Sequence, residues 1–204
     1  MSTGTNRTRR IVMAGFLAGL AVACGFALAA IPNIELITSV IFVAGYLLGP
    51  RLGIATGLIA MFIHSWLNPL GPAPLPIFVA QLVSVALIAA CGNIYFKVEA
   101  AGWGKIYVLA GFGFACTLIY DAVTLVGELA MMAFTMPYLV GRFLSGLPFF
   151  VVHIFSNTAV FALLLPLIFE HFSNVTQSKT LFRSRGGEPG KPVNPSQNSM
   201  EARS

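Results

Sequence analysis

The chain has 204 residues, of which 57% are hydrophobic and only 9% are charged, and its formal net charge is +5. Soluble domains carry about a quarter charged residues, so this composition excludes a soluble globular protein and predicts an integral membrane protein. The basic residues lie in polar connections and tails. No basic soluble face is present that would favour nucleic-acid binding.

Basic residues mark alternate polar segments of the chain. They precede the first apolar segment, occupy every second connection and follow the last apolar segment, at Arg7, Arg9, Arg10, Arg51, Lys97, Lys105, Lys179, Arg183, Arg185 and Lys191. Cytoplasmic loops retain Lys and Arg, so the pattern predicts an all-α membrane protein with six transmembrane helices and both termini cytoplasmic. The predicted parts are a basic N-terminus (residues 1–10), a transmembrane domain (residues 11–172) and a disordered cytoplasmic tail (residues 173–204).

The first predicted span covers residues 11–31, which is long enough to cross about 30 Å of hydrocarbon. Its arginine-rich prefix and its Ala27-Leu28-Ala29 end also resemble a cleaved signal peptide. We favour a retained helix, because its removal would break the six-span pattern.

Residues 33–67 are almost continuously apolar and too long for one span. The sequence Gly49-Pro50-Arg51 divides them into a predicted helical hairpin, since proline ends a helix and glycine favours a turn. A proline-rich, uncharged loop follows at residues 68–76. Three further spans are predicted at residues 77–96, 106–132 and 137–169.

Small residues recur along the first span. Gly15, Gly19, Ala23 and Ala27 follow one another at four-residue intervals, and Ala14 and Ala18 run beside them. Such a stripe lets another helix approach closely in a membrane. It predicts either packing inside this chain or a docking face for a separate membrane subunit.

Several polar side chains lie inside or beside the spans, where they are costly and are candidates for function. From the predicted topology they concentrate in the outer third of the membrane. On this basis we predict that His64, Trp66, Asn68, Gln81, Asp121, Glu128, Arg142 and Phe149 bind substrate. Asp121 and Glu128 share one helical face and suit a cationic group, whereas Arg142 suits a carboxylate or phosphate.

Each of these residues also has a structural interpretation. Arg142 could pair with Asp121 or Glu128 inside the protein, and Trp66 could anchor the chain at the membrane interface. His153 and Asn157, deeper on the face of Arg142, could form hydrogen bonds between helices.

Catalytic and cofactor motifs are not found in the sequence. The chain contains no nucleophile elbow, no His-Glu metalloprotease spacing and no Walker motif. We therefore expect no enzyme activity, no cofactor, no metal site and no ATP hydrolysis by this chain alone.

The chain resembles the substrate-binding S-components of energy-coupling factor (ECF) vitamin transporters over about residues 11–170. The resemblance rests on size, six short spans, the Gly/Ala-rich first helix, the runs at residues 32–38 and 42–53, and Asn68-Pro69 with Gly71 after the third span.

This resemblance implies a multi-pass subunit of a prokaryotic plasma-membrane ABC importer that captures a micronutrient from outside. It implies two kinds of partner, a transmembrane coupling subunit and two ATP-binding subunits. It further implies docking through Ala14, Gly15, Ala18 and Gly19, and gating by the loop that contains Asn68, Pro69, Gly71 and Pro72.

The alternative function is a self-sufficient, proton-coupled secondary transporter of a small solute. In that case Asp121, Glu128 and His153 would form the proton relay.

Overall fold

The structure is a computed structural model that describes residues 3–31, 33–98, 103–131 and 135–185. These residues form helices and no strands. The five helices are α1 (Thr3–Leu28), α2 (Ile37–Trp66), α3 (Leu75–Val98), α4 (Trp103–Leu129) and α5 (Met136–Arg185). All five contain a segment long and apolar enough to cross a membrane. The predicted helical, multi-pass membrane character is therefore confirmed.

The helix α2 is interrupted in the middle. Gly49 adopts φ 74° and ψ 177°, a left-handed backbone conformation that favours glycine, and Pro50 follows it. A methyl group built on Gly53 would lie 2.6 Å from the Cα atom of Gly45. In a continuous helix, residues eight positions apart are separated by about 12 Å. The chain therefore folds back at Gly49, as the predicted hairpin requires.

The count of helices differs from the prediction. Six spans were predicted, whereas the described residues contain five helical elements. The number differs because the two helical segments on either side of Gly49 are both part of α2. A sixth span arises only if the two halves of α2 on either side of Gly49 each cross the membrane.

The chain divides into two compact units, residues 1–166 and 167–204. In the second unit α5 continues to Arg185, where the sequence predicts a disordered tail from residue 173. Residues 173–185 contain neither glycine nor proline, so no backbone feature ends the helix there. The rest of the predicted tail lies outside the described residues.

Close backbone contact joins the first half of α2 to α3. A methyl group on Gly92 would overlap the carbonyl oxygen of Phe42, and one on Gly45 would overlap the carbonyl oxygen of Ala89. Phe42 is fully buried and meets the ring of Phe161 at 4.9 Å between ring centroids. Phe42 is therefore packed tightly between α3 and α5.

The helix α1 packs on both halves of α2. Leu17 belongs to a buried cluster with Ala44 and Leu48, and Ala18 belongs to another with Ala21 and Ala60. The guanidinium of Arg10 donates a hydrogen bond to the carbonyl of Leu48, next to the turn at Gly49. The start of α1 therefore lies beside the turn of the hairpin.

The four residues predicted to dock a partner subunit fall into two groups. Ala18 is 6% exposed, and Ala14 is half-buried against the cluster that contains Leu17 and Ala44. Gly15 and Gly19 are exposed, and nothing lies within 4 Å of a methyl group built on either. The alanines thus serve packing inside the chain, while the glycines face outward.

Candidate functional site: a charged cavity lined by α3, α4 and α5

A cavity of about 410 Å³ lies within the first unit, which is in the size range of small-molecule pockets. The connection between α1 and α2, together with α3, α4 and α5, supplies its lining. The lining residues are Asn33, Ile77, Gln81, Tyr120, Asp121, Thr124, Leu125, Glu128, Arg142, Gly146, Phe149, Phe150 and His153.

Helical spacing explains how two helices reach one cavity. Asp121, Thr124 and Glu128 on α4 follow one another at intervals of three and four residues, so they share a face. On α5, Arg142 and His153 are eleven residues apart, which is three helical turns, and they also share a face. The sequence predicts both faces from this periodicity.

His153 connects three segments of the chain at one side of the cavity. Its Nδ1 atom lies 2.7 Å from Oδ1 of Asp121, and its Nε2 atom lies 3.4 Å from Oε1 of Glu35. The imidazole is 4% exposed, so both contacts lie in a region of low dielectric constant, where they are strong. The contacts join α5 to α4 and to the connection before α2.

Glu35 lies in the connection between α1 and α2. Burial alone would raise the pKa of this carboxyl, but hydrogen bonds from His153 and Thr38 outweigh it and hold the pKa below its ordinary value. The hydroxyl of Ser156 on α5 donates to the carbonyl of Asn33 at 3.1 Å. These bonds hold the connection against α5.

Asp121 has one carboxylate oxygen without a partner. Oδ2 is buried and forms no hydrogen bond with any described residue, whereas Oδ1 contacts His153. Asn157, one turn beyond His153, is fully buried and approaches Glu35. Its amide atoms form no hydrogen bond of normal geometry with the described residues. The region around His153 thus retains unused hydrogen-bonding capacity.

Arg142 and Glu128 form a bidentate ion pair. Arg142 Nε donates to Glu128 Oε2 at 3.0 Å, and Nη2 donates to Oε1 at 2.6 Å. The two side chains are 37% and 31% exposed, so they lie at a more open part of the cavity than His153. Of the two internal partners considered from the sequence, Arg142 takes Glu128.

Gln81 contributes from α3, and its Oε1 atom accepts a hydrogen bond from the hydroxyl of Ser65 at 2.7 Å. Of the eight residues predicted to bind substrate, five therefore line the cavity: Gln81, Asp121, Glu128, Arg142 and Phe149.

The other three predicted substrate-binding residues do not line this cavity. The imidazole of His64 packs on the ring of Phe26, with 5.2 Å between ring centroids. Trp66 is 56% exposed, as an interfacial anchor would be. Asn68 Oδ1 accepts a hydrogen bond from the backbone N–H of Leu70 at 2.9 Å, which forms a local turn just after α2.

The loop predicted to gate the site begins at Asn68 and is fixed to the end of α2. The amide of Ala73 donates to the carbonyl of Ser65 at 3.2 Å, and Gly71 adopts a φ of 101°. Pro69 and Pro72 lie in the same loop. Its gating role remains a prediction.

Sequence reasoning assigned no binding role to several lining residues. Tyr120 and Thr124 flank the face of Asp121 on α4, so helical spacing could have found them. Asn33 lies in an irregular connection, where no periodicity indicates which way a side chain points.

Among the described residues, no group of three or more His, Cys, Asp or Glu side chains is placed to hold a metal ion. Comparison with protein-family models, curated proteins and solved structures found no match to this chain. The geometry of the cavity is consequently the main ground for a functional conclusion.

Proposed function

We propose that this chain is the substrate-capture (S) subunit of an ECF-type ABC importer in a prokaryotic plasma membrane, and not an enzyme. It binds a vitamin or related micronutrient at the outer side of the membrane. The observation that carries the proposal is the cavity of about 410 Å³ lined by charged side chains from α4 and α5, two helices that can span a membrane. Charged groups at such positions are costly and are retained for binding or transport.

An outward-facing site is supported by the positions of α1 and the hairpin. The start of α1 lies beside Gly49, where Arg10 contacts Leu48. Glu35 follows the other end of α1 and contacts His153 beside the cavity. Because basic residues favour the cytoplasmic side, the cavity belongs to the outer side. This topology has six spans, both termini inside, and a separate span for each half of α2.

Partner subunits are needed because the sequence has no ATP-binding motif. Gly15 and Gly19 support docking on a transmembrane coupling subunit, since both are exposed with open space above them. Two ATP-binding subunits would complete the importer. The loop from Asn68 to Pro76 would close over the bound ligand.

Affinity purification from native membranes tests the assembly. We expect the tagged chain to retain a membrane partner and two ATPases, and uptake by the reconstituted complex to need ATP hydrolysis. Ligand uptake by the purified chain alone in liposomes, with no ATP, would contradict the proposal.

A second function is favoured by the contacts of His153 with Asp121 and Glu35. Three proton-exchanging groups in contact could relay a proton, as a self-sufficient secondary transporter requires. The same liposomes distinguish the two, because a proton-coupled carrier would accumulate solute under an imposed pH gradient without ATP.

A further inference from the structure

The charges around the cavity do not balance. Three carboxylates lie in or beside it, those of Glu35, Asp121 and Glu128, against one arginine, Arg142. Arg142 neutralises Glu128 through the bidentate pair. Even a protonated His153 neutralises only one of the two carboxylates that it contacts. When these side chains are counted in their ordinary ionised states, one negative charge is uncompensated among the described residues, in a region where an unpaired buried charge is costly.

The position of this excess charge is set by Asp121. Its Oδ2 atom is buried without a partner, although the residue lines the cavity. Glu35 has both His153 and Thr38 as partners. A cationic donor in the cavity would compensate this charge through the Asp121 carboxylate, which is 13% exposed and lines the cavity.

The charges of the cavity disfavour an anionic ligand. The guanidinium of Arg142 already has two of its donors on the oxygens of Glu128. A carboxylate or phosphate would compete with Glu128 for the charge of Arg142, and it would add a further negative charge beside Asp121. Binding of an anion is thus opposed twice, by competition and by repulsion.

Aromatic side chains form part of the remaining cavity wall. Tyr120 stands at 85° to the imidazole of His153, with 5.9 Å between ring centroids, and Phe149 and Phe150 lie across from α4 on α5. Aromatic faces attract cations in addition to burying apolar surface.

From these observations, and resting on the proposed capture function, we infer that the cavity selects a small organic cation with an apolar or aromatic body, whose N–H donor pairs with the carboxylate of Asp121. The Arg142–Glu128 pair shapes the opening of the cavity and is not a receptor for an anion.

Three compounds of similar size and different charge test this selectivity: 2-phenylethylamine, 2-phenylethanol and phenylacetate. Each is titrated against the full chain in lipid nanodiscs by calorimetry. We expect the amine to bind at least about tenfold more tightly than the alcohol, since hydrogen bonds to charged groups stabilise more than neutral ones. Phenylacetate should bind more weakly than the alcohol.

Two substitutions then locate the charge. Asp121→Asn keeps the shape and should remove the preference for the amine, whereas Glu170→Gln, on an exposed acid outside the cavity lining, should leave it unchanged. Glu128→Gln releases Arg142 and should increase binding of phenylacetate several-fold. Unfolding midpoints without ligand confirm that each variant is folded.

Equal or tighter binding of the alcohol or the acid by the unaltered chain would overturn the cation inference and leave a capture function intact. An amine preference that survives Asp121→Asn would also overturn it. Failure of all three compounds to bind would overturn the inference, while purification with two ATPases would still support the proposed function independently.

Discussion

His153 on α5 and Asp121 on α4 are joined by a contact of 2.7 Å between Nδ1 and Oδ1. On its other side the same imidazole reaches Glu35, in the connection before α2. One side chain therefore holds three separate segments of the chain around the cavity, and the stability of the domain and the shape of the site depend on the same residue.

Replacement of His153 by alanine should destabilise the protein. It leaves the carboxylates of Asp121 and Glu35 buried without this partner, and each lost buried partner costs about 1–3 kcal/mol. We expect a lower unfolding midpoint in nanodiscs, with His153→Gln intermediate because an amide can still donate one hydrogen bond. An unchanged midpoint for His153→Ala would show that the contact does not stabilise the fold.

The ionisation of Glu35 predicts a loss of stability in acid. Its pKa is lower in the folded protein than in the unfolded chain, because the hydrogen bonds it accepts outweigh burial. Such a group stabilises the fold fully above its unfolded pKa of about 4.3, and this contribution is lost as the pH falls through the folded value. The unfolding temperature should therefore decrease progressively as the pH is lowered below about 5. Glu35→Gln should flatten this part of the profile, and an identical profile would contradict the assignment.

Gly92 should tolerate no side chain. A methyl group there would overlap the carbonyl oxygen of Phe42 in α2, and overpacking costs about 1–3 kcal/mol. Gly92→Ala should lower the unfolding midpoint measurably. Gly111→Ala is the matched control, since Gly111 has open space around it and alanine favours helix; comparable midpoints for both variants would exclude a close α2–α3 contact.

The open stripe on α1 can be tested without disturbing the cavity. The double substitution Gly15→Leu and Gly19→Leu should abolish ATP-driven uptake and leave ligand affinity unchanged, because both positions have free space outward. Gly111→Leu, on an exposed glycine of α4, should affect neither. Loss of ligand binding in the double variant would place the effect inside the domain and argue against docking.

The sequence predicted the parts of this architecture that follow from periodicity. Apolar length located the spans, the Gly49-Pro50 pair located the turn, and three- and four-residue spacing placed Asp121 and Glu128 on one face. Contacts between segments were harder to predict. Asp121 and Glu128 lie two turns apart on that face, so spacing alone could not choose which of them pairs with Arg142.

The same limitation explains the residues that were expected at the site and lie elsewhere. The depth of His64 in its helix follows from its position in the sequence, but the rotation of that helix decides its neighbours, and the ring meets Phe26 of α1. Glu35 lies in a connection without regular geometry, so its approach to His153 depends on tertiary packing alone.

The cavity takes its lining from α3, α4, α5 and the connection at Asn33, while none of its lining residues belongs to α1. The exposed glycines Gly15 and Gly19 therefore lie on a helix that contributes no described residue to the cavity lining. Ligand preference could thus be redesigned, or diverge by mutation, through substitutions in α4 and α5 alone. A chain built in this way can change what it recognises while keeping the surface that α1 presents to its surroundings.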